Sequence, residues 1–277
     1  MSGSILAVPV AIGQCDAILK MDPAGHPLQG VSEHFVERPE RIALNKNAHL
    51  LRQALADSHA LAERFDKAGF PRAELEVLQD WQRQRLARSY QALISQPRYR
   101  AAGDFFLDEL YGGLNFRERD QQVERVLPVM VRTMTDNMLQ AMAEAFELQS
   151  LSLSLDMDMA AALEEFGWDS LDTHRYGEVY RRCGRADDRE RQIRLIGELG
   201  LKLNELVHHR IVMFLIRTLR GPARAAGFGL LQNFLENGLN AFQVMRDGTE
   251  FIETIWHSEE RFMRRLFAGS KNPFRIE

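Results

Sequence analysis

The sequence predicts an all-α protein, a bundle of about nine helices behind an irregular N-terminal arm. Three observations carry that prediction. Prolines and short polar residues recur where helices would start, with glycines where they would stop. Apolar residues between these marks repeat with helical period. No Asn-Gly or Asp-Gly turn stands between two alternating, strand-like runs.

The elements follow in order. Residues 1–36 hold Pro9, Pro23 and Pro27 and read as an arm laid on the body, with Ile5 to Ile12 as an extended segment. The first helix is expected from Pro39 to Ala60, and the second from Pro71 to about Ser95. Pro97 opens a third that ends near Gly112-Gly113, and a short fourth starts near Arg117 with Pro128 as a break. Asp136 caps a fifth that reaches about Phe166. Its segment Ser150 to Met159 alternates with period two, a strand signal. The stripe Leu148, Leu151, Leu155, Met159 and Leu163 has helical period and decides for helix.

A sixth helix starts at Asp172 and ends at Gly184. Asp187 and Glu190 form an Asp-x-x-Glu capping box for a seventh, which is expected to reach Leu219. Pro222 starts the eighth and Gly248 stops it; Thr249 caps the ninth, which ends near Gly269. The domain reading is an arm over 1–36, one all-α domain over 37–269 and a C-terminal tail over 270–277.

With 277 residues the chain can bury a core without disulfides or metals. Its 35 basic and 39 acidic residues give a formal charge of -4, which supplies no general drive towards nucleic acid or an anionic membrane. Cys15 and Cys183 give no disulfide framework and read as free thiols in a reducing cytosol. The apolar N-terminus lacks a preceding Lys or Arg, so no export signal is expected. No apolar run approaches the roughly 20 residues that span a bilayer. A cytoplasmic protein is the expectation.

At 100° per residue, helical geometry separates the candidate sites. Glu205 and His208 form a Glu-x-x-His, half of a carboxylate-bridged di-iron site. A metal would need both to point inward. Ile193, Ile196, Leu199, Leu203 and Leu206 gather on the opposite side from Glu205, with His208 at the flank. The two are therefore weak metal candidates, and no cofactor is expected. Glu253, His257 and Glu260 share a face turned away from the stripe Ile252, Ile255, Trp256, Phe262, Met263 and Leu266, and read as a solvated face with local ion pairs. No nucleophile elbow and no phosphate loop occurs. The arginine-rich run from Arg181 to Arg194 has Asp187, Asp188 and Glu190 interleaved and few aromatic residues beyond Tyr176 and Tyr180, a poor fit to nucleic acid.

Charges that fall on apolar faces are the sites to keep. Glu109 lies at the edge of a face made by Phe105, Phe106, Leu107, Leu110 and Tyr111, and Arg210 and Arg217 fall inside the apolar stripe of the seventh helix. A buried charge needs a partner. The expectation is a carboxylate–guanidinium network of Glu109, with Glu124 in reserve, Arg217 and Arg210, with Tyr111 adding a hydroxyl. Such a network fixes packing, or forms the polar end of a ligand pocket.

The segment Asp104 to Gly113 contains Phe-Phe-Leu-Asp-Glu-Leu-Tyr, residues 105–111. It resembles the signature of the bacterial FFLEELY-motif proteins. The resemblance begins weakly near residue 75, is strong from Pro97 to about Gly269, and implies no activity. The functional expectations are a non-enzymatic interaction or regulatory module that self-associates as a homodimer, or a binding protein for a small apolar or amphipathic ligand between helices. A metal-dependent helical-bundle oxidase is the third.

Overall fold

The computed structural model describes residues 46–107, 136–208, 217–218, 220–221 and 229–276. Over these residues the protein is all-α, with nine helices and no strand. They are α1 (Lys46–Asp66), α2 (Arg72–Ser89), α3 (Gln91–Ile94), α4 (Arg100–Phe105), α5 (Asp136–Phe166), α6 (Thr173–Cys183), α7 (Ala186–Leu206), α8 (Gly229–Met245) and α9 (Thr249–Phe267).

The long α5 is the hub: α1, α2, α6 and α7 pack against it. Its segment 150–159 is helical, as the stripe required. Leu153, Leu155, Met157, Met159, Ala160 and Leu163 are buried, so the helix is enclosed on most of its circumference. Asp172 caps α6 by accepting a hydrogen bond from the Arg175 amide at 2.8 Å.

Several boundaries differ from those expected. The first helix runs on to Asp66. The second divides at Tyr90, which ends α2 and starts α3, and the third starts at Arg100 with Pro97 in the preceding turn. Past Phe105 the chain widens to π geometry at Phe106 and Leu107. The Asp187–Glu190 capping box does not form. The N-cap of α7 is Arg185, whose backbone is left-handed at φ 59° and makes no side-chain cap. That conformation is held from outside: Arg185 donates to Asp188 at 2.7 Å, to Ser154 Oγ at 2.9 Å and to Asp158. The seventh helix stops at Leu206 rather than Leu219. Gly248, not Thr249, is the N-cap of α9.

α7 and α9 run antiparallel in close contact. Gly197 and Gly200 of α7 face Trp256 and Ile252 of α9. A Cβ added at Gly200 would come within 2.9 Å of Ile252, and one added at Gly197 would fall inside the Trp256 ring. Only glycine lets the helices approach so closely. At the far end the buried Asn204 accepts from the Gly248 amide at 2.9 Å, pinning the α8–α9 turn to α7. Two apolar cores lie along this pair. One gathers Tyr99, Phe105, Phe242 and Phe251 near α4 and α8; the other gathers Leu78, Trp81, Leu163, Tyr176 and Ile193 near α2, α5 and α6. The expected tail turns back into the second core. Phe274 packs its ring against Trp81, Tyr176 and Phe262, at centroid distances of 5.8, 5.9 and 5.6 Å.

Candidate functional site

Between the two cores lies a cavity of about 370 Å³, walled by α2, α5, α7 and α9, with residues of α4, α6 and α8 also on its lining. Along α7 its lining residues are Arg189, Gln192, Ile193, Ile196, Leu199, Gly200 and Leu203, one stripe at helical spacing. The walls are mostly apolar. Among the described residues its charged side chains are Arg85, Asp156, Arg189 and Glu259.

These charges are built into a polar cluster. Asp156 of α5 is 9% exposed, Arg189 of α7 5% and Gln82 of α2 6%. Gln82 donates to Asp156 Oδ1 at 3.0 Å and Gln79 to Oδ2 at 3.3 Å. One turn further along α2, Arg85 forms an ion pair with Glu259 of α9, and the Tyr90 hydroxyl donates to the same carboxylate at 2.6 Å. Arg85 also lies over the Phe274 ring, 5.0 Å from its centroid.

Arg189 is held differently. It donates to Gln192 Oε1 at 3.2 Å and to the Met159 thioether at 2.9 Å, and stands over the Tyr180 ring at 4.7 Å. Among the described residues it forms no ion pair with a carboxylate. The other arginines of its segment all do. Arg181 pairs with Glu178, Arg182 with Glu165, Arg185 with Asp158 and Asp188, Arg191 with Glu147 and Arg194 with Glu198. Burial holds the Asp156 carboxyl above its ordinary pKa, while the Arg189 charge and the two glutamines pull the other way. Burial likewise raises the Tyr176 and Tyr180 hydroxyls.

The expected site residues fall elsewhere. Glu109, Tyr111, Glu124 and Arg210 lie outside the described residues. Arg217 is exposed, contrary to its placement in a buried stripe. The stripe was extended at 100° steps through a helix that stops at Leu206, and phase is not carried past a helix end. Glu205 and His208 are both exposed. His257 and Glu260 approach at 3.8 Å and Arg264 and Glu260 at 3.7 Å, local pairs on the outer face of α9. Among the described residues no three His, Cys, Asp or Glu side chains cluster as a metal site. Tyr176 and Tyr180 are buried, with Tyr176 stacked on Trp81 at a centroid distance of 4.2 Å.

Asp156, Arg189, Gln82, Arg85 and Glu259 were not singled out from sequence as a site. One signal was present. Asp156 shares a helix face with Leu153, Met159, Ala160 and Leu163, where a charge is costly unless it is used.

A family model described as Domain of unknown function (DUF8198) matches residues 59–273. The chain belongs to that family. The match spans the helices that wall the cavity in this DUF8198 protein, with Phe274 one residue beyond it. No curated protein and no solved structure matches the chain. No helix among the described residues is long and apolar enough to cross a membrane.

Proposed function

We propose that this protein binds a small amphipathic ligand in the cavity between α2, α5, α7 and α9. The observation that carries the reading is a cavity of about 370 Å³ with mostly apolar walls and a few converging polar groups. Ligand sites are ordinarily built that way, at roughly 300–1,000 Å³. The polar end proposed is the Asp156–Gln82–Arg189 cluster rather than Arg217. The large apolar side chains exposed among the described residues, Leu50, Phe166, Val244 and Ile276, fall on four separate segments and favour no self-associating face. The FFLEELY-motif resemblance belongs to the same proposal and brings with it a bacterial, cytosolic setting.

Native mass spectrometry of the full chain purified from its own host tests the reading. A retained small molecule is expected, and it should be absent from Ile196→Trp, which fills the cavity's midsection. A wild-type protein with no adduct that also fails to take up an apolar dye would remove the proposal.

A further inference from the structure

We propose that the ligand is an elongated monocarboxylate of the fatty-acid type, with its carboxylate on Arg189 and its chain lying along α7 towards Phe242. The proposal rests on the ligand-binding reading and specifies its chemistry.

The head group follows from Arg189. A guanidinium stays protonated under all relevant conditions, so burial cannot neutralise it as it can a carboxyl. A buried cation is costly unless an anion and hydrogen-bond acceptors meet it. Arg189 is 5% exposed and lines the cavity, yet its two acceptors are a neutral amide and a weakly accepting thioether. Asp156 interacts with it electrostatically but forms no ion pair with it, and both Asp156 oxygens already accept from glutamine amides. A planar carboxylate matches the fork of donors that remains. One negative charge suits the site better than two, because Asp156 and Glu259 line the same cavity.

The tail follows from the register of the walls. From Arg189 to Leu203, α7 rises about 21 Å at 1.5 Å per residue. The residues it presents change from Arg189 and Gln192 to Ile196, Leu199 and Leu203 along that length. Phe105, Phe106, Leu239 and Phe242 line the apolar end. A compact ligand would not use such a course; an alkyl chain would.

Isothermal titration of the full chain with decanoate, decanol, decyl phosphate and decyltrimethylammonium tests this. Decanoate is expected to bind at least roughly tenfold more tightly than the other three, the scale of one hydrogen-bonded charge pair. Arg189→Gln should remove that preference, bringing decanoate to the affinity of decanol, while Arg189→Lys should keep part of it. The wild-type comparison stands even if the variants fold poorly. Equal binding of decanoate and decanol would overturn the head-group assignment and leave the cavity reading intact. Tighter binding of the phosphate or the ammonium compound would overturn the monocarboxylate. No binding by any of the four would overturn the alkyl ligand, and the retained mass from the host would then decide the cavity reading separately.

Discussion

Asp156 and Asp158 stand two residues apart on α5, and the fold treats them in opposite ways. Two residues turn an α-helix by about 200°, so they face different surroundings. Asp158 is 29% exposed at its side chain and is gripped by two arginines, Arg64 at 2.8 Å and Arg185. Asp156 is buried, and its hydrogen-bond donors are two neutral amides. Arg185 and Arg189 repeat the contrast on the neighbouring helix. The partly exposed arginine has two carboxylates, and the buried one has none among the described residues. An unmatched charge costs most inside, where nothing replaces the water it has lost. Outside, Asp158 holds two arginines; inside, Arg85 and Glu259 pair with each other, while Asp156 and Arg189, which line the same cavity, form no ion pair among the described residues.

The largest effect expected from breaking this contrast is at Asp156. Asp156→Ala would leave the Gln79 and Gln82 amides without their acceptor and remove a negative charge that acts on Arg189. It should destabilise the protein by about 2–4 kcal/mol in denaturant melts. A loss under about 1 kcal/mol would mean that the inner cluster contributes no more to the fold than the outer one.

The second test is pH. The folded-state pKa of Asp156 is raised, chiefly by burial, so the folded protein binds this proton more tightly than the unfolded chain does. Stability from this group is therefore complete below the ordinary carboxylate pKa near 3.9 and declines as pH rises towards the raised folded value. Wild type should lose stability relative to Asp156→Asn across that window, by up to about 1.4 kcal/mol per pH unit. Parallel stability curves for the two proteins from pH 4 to 7 would contradict the burial assigned to Asp156.

The outer network should respond weakly. Arg64→Ala is expected to cost under about 1 kcal/mol, and the cost should shrink further in high salt. Smaller still are the exposed positions named from sequence. Arg217→Ala, Glu205→Ala and His208→Ala should each fall within about 0.5 kcal/mol of wild type. A large fall in melting temperature for Arg217→Ala would restore the buried network first expected of it.

The fold was largely legible because helices announce themselves locally. The stripe through Leu155 and Met159 overruled the period-two alternation of Ser150 to Met159, and α5 is one helix as a result. Ile193, Ile196, Leu199 and Leu203 of α7 and Ile252, Phe262, Met263 and Leu266 of α9 do face inward. That the inward face of α7 lines a cavity as well as a core was not legible, since a helical wheel shows direction and not what fills the space. The polar cluster was missed for a related reason. Gln82 and Asp156 are 74 residues apart, and no single-helix geometry brings them together. Arg189 was judged with its sequence neighbours as part of a charged run, and only its depth separates it from them.

The glycine seam between α7 and α9 also makes the cavity optically addressable. The chain has three tryptophans, and Trp256 is the one whose side chain lines the cavity. Its ring rests where Gly197 offers no side chain, and its buried indole Nε1 finds no hydrogen-bond acceptor among the described residues. The other two indoles are stacked on rings, Trp81 on Tyr176 and Trp168 on Phe166. A molecule entering the cavity would change the polarity around Trp256 far more than around its two counterparts. With Trp81 and Trp168 replaced by phenylalanine, the emission maximum of the remaining indole becomes a direct gauge of occupancy, without a label and in the intact chain.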